Sequence, residues 1–178
     1  MTKKALIITG KFVQDHEFIY PYYRLQEEGF HVDVATEDGM ETVGFFGTKV
    51  PVNKKIIDLN MNEYDLLVLP GGAKSMERIR QDKKVLDIIR EWNDKGKIIA
   101  SMCSAGHLLI SADVVKGRKI SGYYAIKDDI TNAGAQYVDA PFVTDKNIIS
   151  SPHYKYLGDW MKETLKQLNV KNEKNNNI

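Results

Sequence analysis

The chain has 178 residues, 43% hydrophobic and 28% charged, enough for one globular domain with a sizeable core. Its 25 basic and 24 acidic residues leave a formal net charge of +1, which gives no reason to expect nucleic acid or an anionic membrane as partner. A single cysteine excludes an internal disulfide and every multi-cysteine metal motif, and the apolar run in MTKKALIITG is too short to span a membrane, so a protein of a reducing, cytoplasmic compartment is expected.

In chain order, Ala5–Gly10 forms a continuous apolar run, the pattern of a central parallel strand. Asp15 is placed to cap a helix that runs to Glu28 and stops at Gly29, with Pro21 implying a kink or a late start. Phe30–Ala35 is a second strand. Met40–Val52 is turn-rich, with short edge strands at Val43–Phe45 and Lys49–Val50. Asp65–Leu69 is a third buried strand, broken by Pro70-Gly71-Gly72. Asp82–Lys95 carries Val85, Ile88, Ile89 and Trp92 at helical spacing.

Ile98–Ala100 then leads through Met102-Cys103-Ser104 into a helical pattern ending near Ser111, so Cys103 stands on a sharp strand-to-helix turn. Further on, Lys119–Ser121 is a short strand and Ile126–Gly134 a short helix. Phe142–Thr144 and Asn147–Ser150 form a hairpin about Asp145-Lys146. Tyr154–Leu168 is a last amphipathic helix, striped by Leu157, Trp160, Met161, Leu165 and Leu168. The asparagine-rich tail, 169–178, is expected to be disordered.

Alternating strands and helices predict an α/β three-layer sandwich with a mainly parallel central sheet, one domain over residues 1–168. Sites in that class form at the carboxyl ends of strands, where Gly10, Pro70-Gly71-Gly72 and Cys103 all fall. From the residues alone Cys103 fits either a buried structural thiol or a nucleophile, the latter helped by the positive end of the following helix. No histidine pairs with acids at metal-ligand spacing, so no metal and no other cofactor is expected. His107 suits a cap or core edge, His31 a structural place, and His16 no role.

Several stretches together resemble the ThiJ/PfpI (DJ-one) superfamily of the flavodoxin-like, glutamine-amidotransferase-like fold, and most of all its PfpI branch. They are EFIYPYYRL from Glu17, DLLVLPGG from Asp65, ASMCSAGHLL around Cys103, ISADVVKG from Ile110, IKDDITNAG from Ile126, and Ser150–Met161. The resemblance covers about residues 3–168. It implies that Cys103 is the elbow nucleophile or redox centre and Glu17 its carboxyl partner. It also implies an oxyanion pocket from the Gly71-Gly72 backbone and the Ser104 amide, with Tyr123 lining it.

Three positions depart from the pattern: Ser104 stands where the protease-like members have histidine, Ala105 stands where they have glycine, and Pro152, with His153 next to it, replaces an arginine. Without that histidine a peptidase is disfavoured, and His153 becomes the candidate base. The expectation is therefore a cysteine-dependent enzyme acting on small carbonyl or amide-type substrates, glyoxalase-, deglycase- or hydrolase-like. The alternative is a stress-response redox sensor or chaperone-like protein with an oxidisable Cys103. Aromatic Phe18, Tyr20, Tyr22 and Tyr23 lie on the helix that the family uses between subunits, so a homodimer or larger homo-oligomer is expected.

Overall fold

The structure, a computed structural model, describes the backbone of residues 2–176 and the side chains of residues 2–169. Apart from Asn169, the tail expected to be disordered lies outside the residues whose side chains are described. The elements begin with β1 (Lys4–Ile8), α1 (Asp15–Glu27), β2 (His31–Thr36), β3 (Thr42–Val43), β4 (Lys49–Val50), β5 (Lys54–Lys55) and β6 (Leu66–Leu69). There follow α2 (Ala73–Ile79), α3 (Lys83–Asp94), β7 (Ile98–Met102), α4 (Gly106–Ser111), β8 (Lys119–Ile120), α5 (Lys127–Asn132) and β9 (Gln136–Tyr137). The last are β10 (Val143–Asp145), β11 (Ile148–Ser151) and α6 (Leu157–Asn176).

Seven strands form the central sheet in the order β10-β11-β7-β6-β1-β2-β5, parallel except for β10, which returns antiparallel on β11 as the expected hairpin. Alternation along each strand sends side chains to two separate cores. Leu6, Ile8, Leu67, Leu69 and Ile99 meet Met76, Ile88, Ile89, Trp92 and Leu109 from α2, α3 and α4. Ala5, Ile7, Leu66, Val68 and Ala100 meet Phe18, Leu25, Trp160 and Met161 from α1 and α6. This is the three-layer sandwich. Every residue of β6 and β7 is buried, which is why these strands are apolar on both faces instead of alternating, Ser101 of β7 being their one polar residue.

Several local details differ from the sequence pattern. The cap of α1 is Gln14, not Asp15: its side-chain oxygen accepts from the His16 and Glu17 amides at 2.7 and 3.3 Å. Asp15 instead accepts from the Phe46 and Thr48 amides at 2.8 and 2.9 Å, tying the β3–β4 loop to the start of α1. Pro21 is buried inside α1, which starts at Asp15 and so has no late start. Strands β3 and β4 pair only with each other, off the main sheet. Helix α2 is absent from the periodicity, because only Met76 and Ile79 mark its apolar side over seven residues.

Candidate active site

The carboxyl ends of β1, β6 and β7 converge with the start of α1. Strand β7 ends at Met102, a 3-10 turn covers Cys103–Ala105, and α4 follows directly. Cys103 takes φ +57°, a left-handed conformation that a non-glycine residue adopts at a cost of roughly 1–2 kcal/mol. Strain of this kind is what places a side chain above the sheet edge at a strand-to-helix elbow. The Cys103 carbonyl accepts from the Tyr123 amide at 3.2 Å, which brings the segment after β8 alongside the turn.

Glu17, in the first turn of α1, is fully buried. Its Oε2 accepts from the Gly71 amide at 2.7 Å. Its Oε1 is buried without a partner in good hydrogen-bond geometry, and the polar neighbour that couples to the carboxyl is the Cys103 thiol. Gly71 fits only because it has no side chain. A Cβ there would stand 2.6 Å from Glu17 Oε2, 2.8 Å from the Met102 carbonyl and 2.9 Å from Cys103 Cβ. Gly72, at φ +108°, packs equally tightly on the 12–14 loop, where a Cβ would lie 2.6 Å from the Gln14 amide nitrogen. The Gln14 amide in turn donates to the Gly71 carbonyl at 3.2 Å. Two loops thus interlock, and their joint holds Glu17 against Cys103.

The electrostatics follow from burial. Desolvation pushes the Glu17 carboxyl up to about 7, against the opposing pull of the Gly71 amide and the Cys103 thiol. Burial and then the Glu17 charge push the Cys103 thiol up to about 12, while the Ser104 amide and hydroxyl draw it down. The helix-end stabilisation of the thiolate expected from the sequence is therefore outweighed: α4 is only six residues long, and a carboxylate shares the pocket. The two groups therefore titrate as a coupled pair, whose first proton leaves at about 7 and whose second is held far higher.

The structure brings Cys103, Glu17, Gly71, Gly72, Ser104 and Tyr123 together. The two glycine amides both have partners: Gly71 donates to Glu17, and Gly72 donates to Ser104 Oγ at 3.0 Å. Ser104 thereby links the glycine turn to the sulfur. Tyr123 faces the site with its hydroxyl held above the usual range chiefly by Tyr124, with Cys103 and Tyr154 contributing. His153 stands further out, its ring centroid 6.5 Å from that of Tyr123 and 4.0 Å from that of Tyr154.

Burial and Lys155 lower the His153 pKa, so the ring is neutral at pH 7. Its Nδ1 accepts from the Lys155 amide at 3.2 Å, capping the 3-10 turn Tyr154–Tyr156. That tautomer leaves the proton on Nε2, giving His153 an N–H to donate in place of the basic lone pair expected of it.

His107 turns away, to Asp129 at 3.4 Å, and His31 to Asp33 at 3.1 Å. His16, to which the sequence assigned nothing, stacks on Tyr154 at 5.0 Å between centroids and extends the aromatic rim. Gln14 was also missed; its only trace in the sequence is the Gly-Gly pair that needs a partner loop. Among the described residues no group of three His, Cys, Asp or Glu side chains could hold a metal ion, and no helix is long and apolar enough to cross a membrane.

The sequence model of the DJ-1/PfpI family matches residues 3–167. A protein of Pyrococcus furiosus named deglycase PfpI is 41% identical over 165 residues, covering 93% of this chain and 99% of its own length. A deglycase of Pyrococcus horikoshii is 42% identical over the same span and with the same coverage. Among solved structures, a two-domain protein of Anabaena variabilis with DJ-1/ThiJ/PfpI-like and ferritin-like domains superposes with a TM-score of 0.90 at 30% identity. That match covers 94% of this chain and 48% of the other. With a family match over nearly the whole chain and relatives above 40% identity on the same elbow-bearing fold, the chain belongs to the DJ-1/PfpI family.

Proposed function

We propose that the protein is a cysteine-dependent hydrolase that removes small carbonyl-derived groups from amines, with Cys103 as nucleophile and Glu17 as the single acid–base group. The observation that carries this reading is the buried Glu17 carboxyl, fixed by the Gly71 amide and turned on the Cys103 thiol, with no other partner for its second oxygen. The names of the two Pyrococcus relatives support the substrate class.

In the ionised form Glu17 takes the thiol proton as sulfur bonds to the substrate carbonyl carbon. The thiolate never needs to exist free, which suits a thiol held up to about 12. Negative charge then develops on the carbonyl oxygen, toward which the Ser104 amide is the nearest donor of the elbow, and the glycine amides become available if Glu17 or Ser104 shifts. Now neutral, Glu17 gives its proton to the amine as the C–N bond of the neighbouring carbinol carbon breaks, that carbon becoming an aldehyde whose hydroxyl proton passes to the oxyanion. The hemithioketal on Cys103 then collapses, releasing the dicarbonyl to water and restoring the thiol. His153 and Tyr123 supply N–H and O–H groups at the mouth for orienting substrate.

The test is a pair of substrates, free methylglyoxal and a methylglyoxal-modified amino acid, given to wild type and to Cys103→Ala. Loss of the modified amino acid with recovery of its amine, absent in the variant, supports the reading. Equal rates in the variant refute it.

A second reading draws on the same unpartnered Oε1. A neutral Glu17 would donate to an oxidised sulfur, stabilising a sulfinate on Cys103 at the expense of turnover. Intact-mass analysis after mild peroxide separates the two. A gain of two oxygens on Cys103 in a protein inactive on both substrates favours this alternative.

A further inference from the structure

One residue, Gln14, joins the 12–14 loop to the Cys103–Glu17 pair. Its backbone amide donates to the Gly71 carbonyl at 3.2 Å. Its side-chain oxygen accepts from the backbone amides of His16 at 2.7 Å and Glu17 at 3.3 Å. Its backbone carbonyl accepts from the same Glu17 amide at 3.1 Å and from that of Phe18 at 3.2 Å. Gly71 in turn donates its amide to Glu17 Oε2 at 2.7 Å. These bonds close a ring: the Glu17 amide to Gln14, the Gln14 amide to Gly71, and the Gly71 amide back to the Glu17 carboxyl. Both ends of Glu17 are held by it, the backbone directly and the carboxyl through a peptide that Gln14 grips from the other side. A closed network of this kind keeps a side chain in one place.

The side chain at position 14 must be an uncharged amide to do all of this. Its oxygen faces two backbone N–H groups, so its nitrogen is turned to His16 Nδ1, at 3.2 Å. Because the amide nitrogen only donates, His16 Nδ1 accepts and carries its proton on Nε2. The ring held in this way stacks on Tyr154. A carboxylate at position 14 would accept from α1 equally well and would suit the positive end of the helix. It could not donate to His16, and it would set a second negative charge beside Glu17. Few other charges stand there. Cys103 is the titratable group that couples to Glu17. Asp15 is engaged by the Phe46 and Thr48 amides, and Lys11 lies over the Phe12 ring at 5.0 Å. Gly71 and Gly72 bring no charge.

We infer that Gln14 is a positioning residue for Glu17, its uncharged amide holding the carboxyl on Cys103 and tying the start of α1, through His16, to the aromatic rim. Only the kinetic arm of the test below rests on the acid–base role proposed for Glu17.

The experiment is a pH titration of the full chain by amide NMR, following Gly71, whose N–H is bonded to Glu17 Oε2 and reports its ionisation. Wild type is expected to show a midpoint at about 7. Gln14→Glu keeps the cap, and with it the fold, and is expected to raise that midpoint by roughly half a unit or more. The midpoint of kcat/KM on a methylglyoxal-modified amino acid should move with it. Gln14→Ala is expected to lower kcat roughly tenfold with KM held within about twofold. Nitrogen NMR of the His16 ring at about pH 8 should show the proton on Nε2 in wild type and a mixture of tautomers in Gln14→Ala. A Gly71 midpoint unmoved in Gln14→Glu, an unchanged kcat in Gln14→Ala, or a wild-type His16 protonated on Nδ1 would each overturn the inference. A Gly71 midpoint that moves while kcat/KM does not follow would support the hold of Gln14 on Glu17 and overturn the acid–base role of Glu17.

Discussion

Replacing Glu17 by glutamine removes one titrating proton from the core and almost nothing else: the side chain keeps its shape, and the amide oxygen can still accept from Gly71. In the folded protein the carboxyl titrates at about 7, against 4.5 for a solvated one. That difference converts to about 3 kcal/mol. The sign follows from proton counting. Between these values the folded state holds a proton that the unfolded state has lost, so stability is fully present below about 4.5 and drains away as pH rises through about 7. The slope approaches about −1.4 kcal/mol per pH unit in the middle of the window.

Urea unfolding of wild type and Glu17→Gln from pH 4 to 9 measures this directly. The difference, variant minus wild type, is expected to climb by about 3 kcal/mol in favour of glutamine across that window and then level off. A difference that is flat with pH, or one that moves the other way, would show that Glu17 ionises like an ordinary surface acid. The proton-transfer role assigned to it would then fail.

Other consequences can be checked alongside. Gly71→Ala, whose methyl would overlap Glu17, Met102 and Cys103, should cost roughly 1–3 kcal/mol in thermal or urea unfolding and remove turnover even where the protein still folds. Asp33→Ala strips the buried Tyr64 hydroxyl and the Asn53 amide of their acceptor, at 2.9 and 2.7 Å, and should cost about 1–3 kcal/mol with the Cys103 site untouched. The homodimer expected from α1 is open to light scattering. Phe18 is buried and Tyr22 stacks on it at 5.4 Å, leaving Tyr23, 60% exposed, as the residue whose change to Ser should shift a dimer toward monomer.

What could be read from the chain was whatever depends on short-range pattern. Continuous apolar runs located β1, β6 and β7, and the 3.6-residue spacing located α3 and its buried Val85, Ile88, Ile89 and Trp92. The break from one period to the other placed Cys103 on its turn. What could not be read depends on contacts across many residues of sequence. The cap of α1 passed from Asp15 to Gln14 because Asp15 is held by amides of the distant β3–β4 loop. The thiol is raised instead of lowered first by its own burial and then by a residue 86 positions earlier that shares its pocket, and periodicity carries no trace of that pairing. His153 kept its place near Tyr123 but presents the opposite face of its hydrogen-bonding chemistry, since its Nδ1 caps the turn before α6.

Whether Cys103 and Glu17 work as one proton-coupled pair is decided by the pH dependence of turnover on a methylglyoxal-modified amino acid. Wild-type kcat/KM should rise with pH through a midpoint at about 7, as Glu17 ionises to the basic form. Cys103→Ala should stay at the uncatalysed rate throughout, and Glu17→Gln should lose both the rate and the inflection. A wild-type profile with no inflection at about 7, or one retained in Glu17→Gln, would contradict the account.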